Sequence, residues 1–202
     1  MTTIIGIQGD NFSIIVHDSR VSAIDDSGSS SQSFTASKAS TKVSQNGRYL
    51  LGAAGDYRAI NILHHAFSPP VPLPKLIGPK LDSFMTSKFI PALRECFDKH
   101  GYSQSPKEGT QSSALQGSSI IVSVNSCIYS IDGDYSWASD ESNIYCLGTG
   151  SGYAYGALRA LSTKKIENIQ QAKKMALKAI GISSHFDPYT GSPFICHVQE
   201  QL

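Results

Sequence analysis

The chain has 202 residues, 17 basic and 16 acidic side chains, a formal charge of +1 and four cysteines. Its charges are scattered and not gathered in runs, which argues against nucleic acid or an anionic membrane as the main partner. No apolar run approaches the roughly 18 residues of a membrane helix, and no signal core opens the chain, so it reads as one cytoplasmic domain over 1–202.

The chain opens MTTIIGI, turning apolar at Ile4, as if its end had to be held in a sheet. Ordering a terminus costs entropy, and removal of Met1 to make Thr2 a reactive N-terminal residue would give that order a purpose. Residues 3–8 and 12–17 alternate as two strands joined at Gly9, Asp10 and Asn11. From Asp25 to Thr41 the composition turns to Ser, Thr, Ala and Gly, which predicts a long exposed loop or weakly specified strands. KVSQNGRYLLGAAGD then predicts a second hairpin, with an Asn-Gly turn and a glycine at its close.

Asp56 reads as the N-cap of a helix carrying Ile60, Leu63 and Phe67 on one face, stopped by SPPVPLP. A second helix follows from about Leu81 to His100, with Phe84, Phe89, Leu93 and Phe97 inward and a bend or restart at Pro91. GYSQSPKEGTQSSALQG is a loop, and SSIIVSVNSCIYSIDGDYSW is a strand, a turn and a strand with the Asp-Gly of a tight hairpin. Beyond NIYCLGTGSG the period becomes helical through Ala154, Leu158 and Leu161. A fourth helix, from about Ile169 to Ser184, carries Ala172, Met175, Ala176 and Ile180, and FICHV closes the chain as a strand. Two antiparallel sheets packed together, with helices on both outer faces, satisfy this order.

Cys96, Cys127, Cys146 and Cys196 lack the paired spacing of a zinc or redox motif and read as reduced, mostly buried thiols. His64 and His65 are neighbours that face different ways on a helix. No metal or cofactor is expected.

TTIIGI, HDSR, Lys42 before an apolar strand into GAAGD, GTGSGYAYGAL, and HFDPYTGSPF occur in that order over nearly the whole chain. On these pieces the chain resembles a β-type proteasome subunit, a threonine peptidase of the N-terminal nucleophile hydrolases. The resemblance implies an α+β fold, a four-layer α-β-β-α sandwich. It is to the catalytic type, since no additional N-terminal helix precedes TTIIGI.

The resemblance implies that Thr2 is the nucleophile once Met1 is removed, its own α-amine serving as base through a water. Lys42 would lie beside the hydroxyl as a cation, with Asp18 holding the ammonium. Ser151, Asp187 and Thr190 match the positions that orient the amine, with Thr190 keeping the hydroxyl of the family's serine. Gly55 would give the backbone N–H for the oxyanion, and Ser22 would pair with an extended substrate. Small residues Ser40, Ser44 and Ala54 would border the specificity pocket, and Arg20 would be a structural partner. The serine-rich loop between Arg20 and Lys42 is longer than the family's.

The implied partners are peptide or unfolded protein as substrate, further copies in a ring, and an ATPase unfoldase. Two other readings stay open: a small-molecule amidohydrolase on the same fold, and a catalytically idle scaffold.

Overall fold

A computed structural model describes residues 2–24, 30–37, 40–103, 115–162 and 165–201. The expected leading hairpin is β1 (Ile4–Gln8) and β2 (Phe12–His17), with Ile4 opposite His17. Next come β3 (Arg20–Ile24) and β4 (Ser30–Thr35), an antiparallel pair within the serine-rich stretch, with residues 25–29 and 38–39 outside the described set. The Asn-Gly hairpin is β5 (Val43–Asn46) and β6 (Tyr49–Gly55). β7 (Ser118–Val124), β8 (Cys127–Ile131) and β9 (Trp137–Ala138) extend its sheet in the order β5-β6-β7-β8-β9. β10 (Ile144–Leu147) and β11 (Ile195–Glu200) flank the first hairpin, giving β10-β1-β2-β11.

Period-two alternation gives the leading strands two apolar faces. Ile5, Ile7, Ile14 and Val16 face helices α4 (Ser151–Leu161) and α5 (Ile169–Phe186), joining Ala154, Leu158, Ala176 and Ile180. Ile4 and Ile15 face the other sheet, meeting Val43, Leu50, Ala54 and Ile121. That second sheet turns Tyr49, Leu51, Ile120 and Val122 outward onto α1 (Tyr57–His65), α2 (Pro79–Phe84) and α3 (Ile90–Lys99). Three apolar layers separate four layers of secondary structure, the α-β-β-α sandwich expected from the chain order.

Asp56 caps α1, accepting from the Arg58 amide at 2.8 Å. A π-helical stretch, Met85–Phe89, joins α2 to α3 immediately before Pro91, which has no N–H to continue the ladder. The residues buried on this rod are Leu81, Met85, Phe89, Leu93 and Phe97, each four apart. At 3.6 residues per turn a strict four-residue spacing drifts around the helix, and the wider π turn takes up part of that drift. Met85 therefore takes the inward place expected of Phe84, which is half-buried at the edge.

The β7–β8 hairpin turns at Asn125 and Ser126, with φ of 49° and 64°, and the expected Asp132-Gly133 pair opens the turn of the next hairpin, β8–β9. Two positive φ values match the right-handed twist of the strands, and asparagine tolerates that conformation. The four cysteines are free but half-buried, at the margins of the apolar layers.

Candidate active site

Alternation along β1 continues backward into the site. Thr3 shares the helix-facing side with Ile5, and Thr2 the inter-sheet side with Ile4. Both threonines are buried, and Met1 lies outside the described residues.

Asp18, just past β2, fastens this segment. Its Oδ1 accepts from the Thr3 amide at 3.0 Å and from Lys42 Nζ at 2.6 Å. Its Oδ2 accepts from the amides of Arg20 and Gly191, each at 3.1 Å, and its own N–H donates to the Thr3 carbonyl at 3.2 Å. The carboxylate thus has four donors, which offsets the loss of water around a fully buried group. Lys42 is equally buried; removal from water pushes its ammonium below the ordinary range, and Asp18 pulls it back.

A second carboxylate, Asp187, closes α5. Its Oδ2 accepts from Thr190 Oγ1 at 2.6 Å and from Thr149 Oγ1 at 2.8 Å. Because Thr190 gives its proton to Asp187, the Thr3 hydroxyl at 2.6 Å donates to Thr190. Ser183, 3.0 Å from the Thr3 hydroxyl, donates to the Gly150 carbonyl at 2.9 Å. The hydroxyl joined to Asp187 from the glycine-rich loop is therefore that of Thr149. Ser151, expected to orient the Thr2 amine, is the first residue of α4 and lines a cavity.

Two glycines permit this loop to close on the N-terminal segment. Gly148 has φ +93°, and a Cβ on it would stand 1.9 Å from the Thr2 carbonyl oxygen. A Cβ on Gly150 would stand 2.1 Å from Thr3 Oγ1. Only glycine fits either place without moving backbone or the hydroxyl chain.

Beyond Gly148 opens a cavity of about 750 Å³, lined by Ser22, Ala54, Gly55, Ser119, Asp132 and Thr149 among others. Gly55, at the end of β6, has φ +132° and is exposed to the cavity. Ser22, Ala54 and Gly55 are thus brought together, with Ser151 beside them. Ser40 is not part of that lining; its carbonyl accepts from the Tyr57 hydroxyl, and its hydroxyl meets Ser37 at 2.9 Å. Ser44, on β5, also lies outside the lining. Arg20 clamps the turn after α5, donating to the Pro188 carbonyl at 2.7 Å.

Sequence reasoning missed Thr149, Thr3, Ser183 and His17. Thr149 stands between the two close-approach glycines, and Thr3 is placed by the same alternation that places Ile5; both signals are in the sequence. Nothing local marks Ser183, which reaches the site from α5. His17 is fully buried, bonded to the Asp18 carbonyl and to Thr41.

No protein-family model matches the chain, and no curated protein matches it. Solved structures do. Thiobacillus denitrificans BPH in complex with epoxomicin is similar over 100% of both chains, at a TM-score of 0.71 and 16% identity. Eukaryotic HslV from Trypanosoma brucei is similar over 98% of this chain and 99% of that chain, at a TM-score of 0.61 and 20% identity. An Anbu (Gly-1) mutant from Hyphomicrobium sp. strain MC1 is similar over 99% of this chain and 82% of that chain, at a TM-score of 0.65 and 14% identity. The chain has the proteasome-like fold of the N-terminal nucleophile hydrolases.

Proposed function

We propose that this chain is a threonine peptidase with Thr2 as nucleophile, freed by removal of Met1, working in the cytoplasm within a ring of identical subunits. The observation that carries the reading is the 2.6 Å ion pair of Lys42 and Asp18, fully buried against the segment that delivers Thr2. Taking such a pair out of water costs several kcal/mol per ion, of the order of ~5, before its attraction is counted, so burial alone is a poor reason to keep it. A fixed cation beside a hydroxyl that must become an alkoxide is a better one.

In the proposed reaction the Thr2 α-amine takes the hydroxyl proton through a water, and the oxygen attacks the peptide carbonyl. Lys42 lowers the cost of the developing negative charge, and the Gly55 N–H holds the tetrahedral oxyanion. The amine returns the proton to the leaving nitrogen, the C–N bond breaks, and water then hydrolyses the threonine ester by the same base. Asp187, with Thr149 and Thr190 on its Oδ2, keeps the amine oriented. Substrate enters the cavity beside Gly148 and pairs with β3 at Ser22; among the described residues β3 pairs with β4 alone. The likeness to proteasome-like structures supports the ring, and an ATPase that feeds it unfolded protein completes the proposal.

The test is hydrolysis of an internally quenched peptide library by the purified protein. Activity abolished in Thr2→Ala supports the reading, and activity that survives Thr2→Ala refutes it.

A further inference from the structure

We infer that His17 is a positioning residue for the Lys42–Asp18 pair, holding both members through one neutral imidazole. The inference rests on the peptidase reading, which makes Lys42 the cation beside the nucleophile. His17 ends β2 on the inter-sheet side and is completely excluded from solvent. Its Nδ1 stands 2.9 Å from the Asp18 carbonyl oxygen. A carbonyl can only accept, so Nδ1 carries the proton and Nε2 presents a lone pair. Nε2 lies 3.0 Å from Thr41 Oγ1, which must then donate.

These contacts close a loop of four residues. His17 is joined to Asp18 by the chain, Asp18 to Lys42 by the ion pair, Lys42 to Thr41 by the chain, and Thr41 back to His17 by its hydroxyl. The two backbone segments that carry the pair are therefore registered against each other by a single side chain. Positioning at this scale matters because a cation that drifts by an ångström no longer faces the developing alkoxide.

The arrangement requires a neutral ring. A protonated His17 would put a second cation beside Lys42, with both side chains shut off from bulk solvent. The groups that face it are Lys42 and Asp18, His197 from β11 and His64 from α1. His197 stacks on it with ring centroids 5.5 Å apart, its Nε2 at 3.4 Å from that of His17. Burial, His197, Lys42 and His64 all oppose protonation, and together they hold His17 down to about 3.

The experiment compares wild type with Thr41→Val, which removes the donor at nearly constant volume, and with His17→Asn, which retains a donor toward the Asp18 carbonyl. Two readouts do not need catalysis: the imidazole nitrogen spectrum of ¹⁵N-histidine protein, and the titration of Lys42 followed by NMR. The inference expects a neutral Nδ1–H signal for His17 at pH 5. It also expects the Lys42 midpoint to fall by about 0.5 pH unit or more in Thr41→Val, since a loosened pair leaves the ammonium less stabilised. His17→Asn is expected to shift it less. The quenched-peptide assay should then lose about tenfold in kcat in Thr41→Val, with KM within about twofold, as lost orientation predicts. An Nε2–H or protonated His17 at pH 5, or an unmoved Lys42 midpoint in folded Thr41→Val, overturns the inference. Shifted Lys42 without any peptide hydrolysis in wild type upholds the positioning of the pair and discards the peptidase reading alone.

Discussion

Lys42 Nζ and Asp18 Oδ1 meet at 2.6 Å with both side chains shut off from solvent, and Asp18 at the same time holds the amide of Thr3. One carboxylate thereby fixes the cation and the N-terminal strand relative to each other. The geometry makes the pair inseparable from the placement of Thr2, one residue before the bonded amide.

Breaking that pair from either side leaves a buried charge uncompensated. Asp18→Asn and Lys42→Met are each expected to destabilise the fold by about 3–5 kcal/mol, and the double variant by less than their sum. Urea unfolding of the three variants checks this. Additive losses would mean that the two groups do not act as a pair.

Acid should weaken the fold through its histidines. Burial holds His17 at about 3 and His64 at about 4, and lowers His197 as well, against an ordinary 6.5. The unfolded chain therefore binds more protons than the folded one between these values and pH 6.5. Stability is complete above pH 6.5, is lost as pH falls below it, and stops falling once the folded histidines protonate. His17 alone accounts for about 2 kcal/mol between pH 7.5 and pH 5. Unfolding midpoints measured across this range should flatten in His17→Asn; an unchanged slope would show that His17 titrates normally in the folded chain.

Gly148→Ala places a methyl group against the Thr2 carbonyl at a backbone angle that alanine resists. A loss of about 1–3 kcal/mol is expected from the backbone alone, with peptide hydrolysis abolished by displacement of Thr2. A variant with wild-type activity and melting temperature would mean that the loop does not press on the N-terminal strand.

In GTGSG the hydroxyl bonded to Asp187 is that of Thr149, and its loss is expected to cost more than that of Ser151. Thr149→Val removes a hydrogen bond to a carboxylate worth about 1.5–3 kcal/mol, which corresponds to roughly tenfold to a hundredfold in rate if the bond orients the base. Ser151→Ala, at the cavity wall, should cost less than threefold by the same scale. Steady-state kcat/KM for the two variants decides between them, and the reverse order would return the role to Ser151.

Much of this was legible from pattern. Alternation in TTIIGI and FSIIVH, the Asn-Gly turn, the Asp56 cap and the helical spacing of Ile60, Leu63 and Phe67 are local signals, and the elements formed where they point. Asp18, Lys42, Asp187 and Thr190 were named from motifs, and the fold draws them to the N-terminal segment. Ser151 and Thr149 are two residues apart and differ in what the loop does with them, which depends on the close approach of Gly148 to Thr2. Ser40 lies in a stretch where small residues abound, so its size carries no address. His17 was invisible because its partners, Thr41 and His197, lie 24 and 180 residues away.

The most direct test is the intact mass of the purified protein before and after incubation with a peptide epoxyketone, a reagent that closes its ring on a hydroxyl and a free α-amine of one residue. The account predicts a chain lacking Met1 that gains one adduct, with no adduct in Thr2→Ala. A chain that retains Met1 and gains no adduct would contradict it.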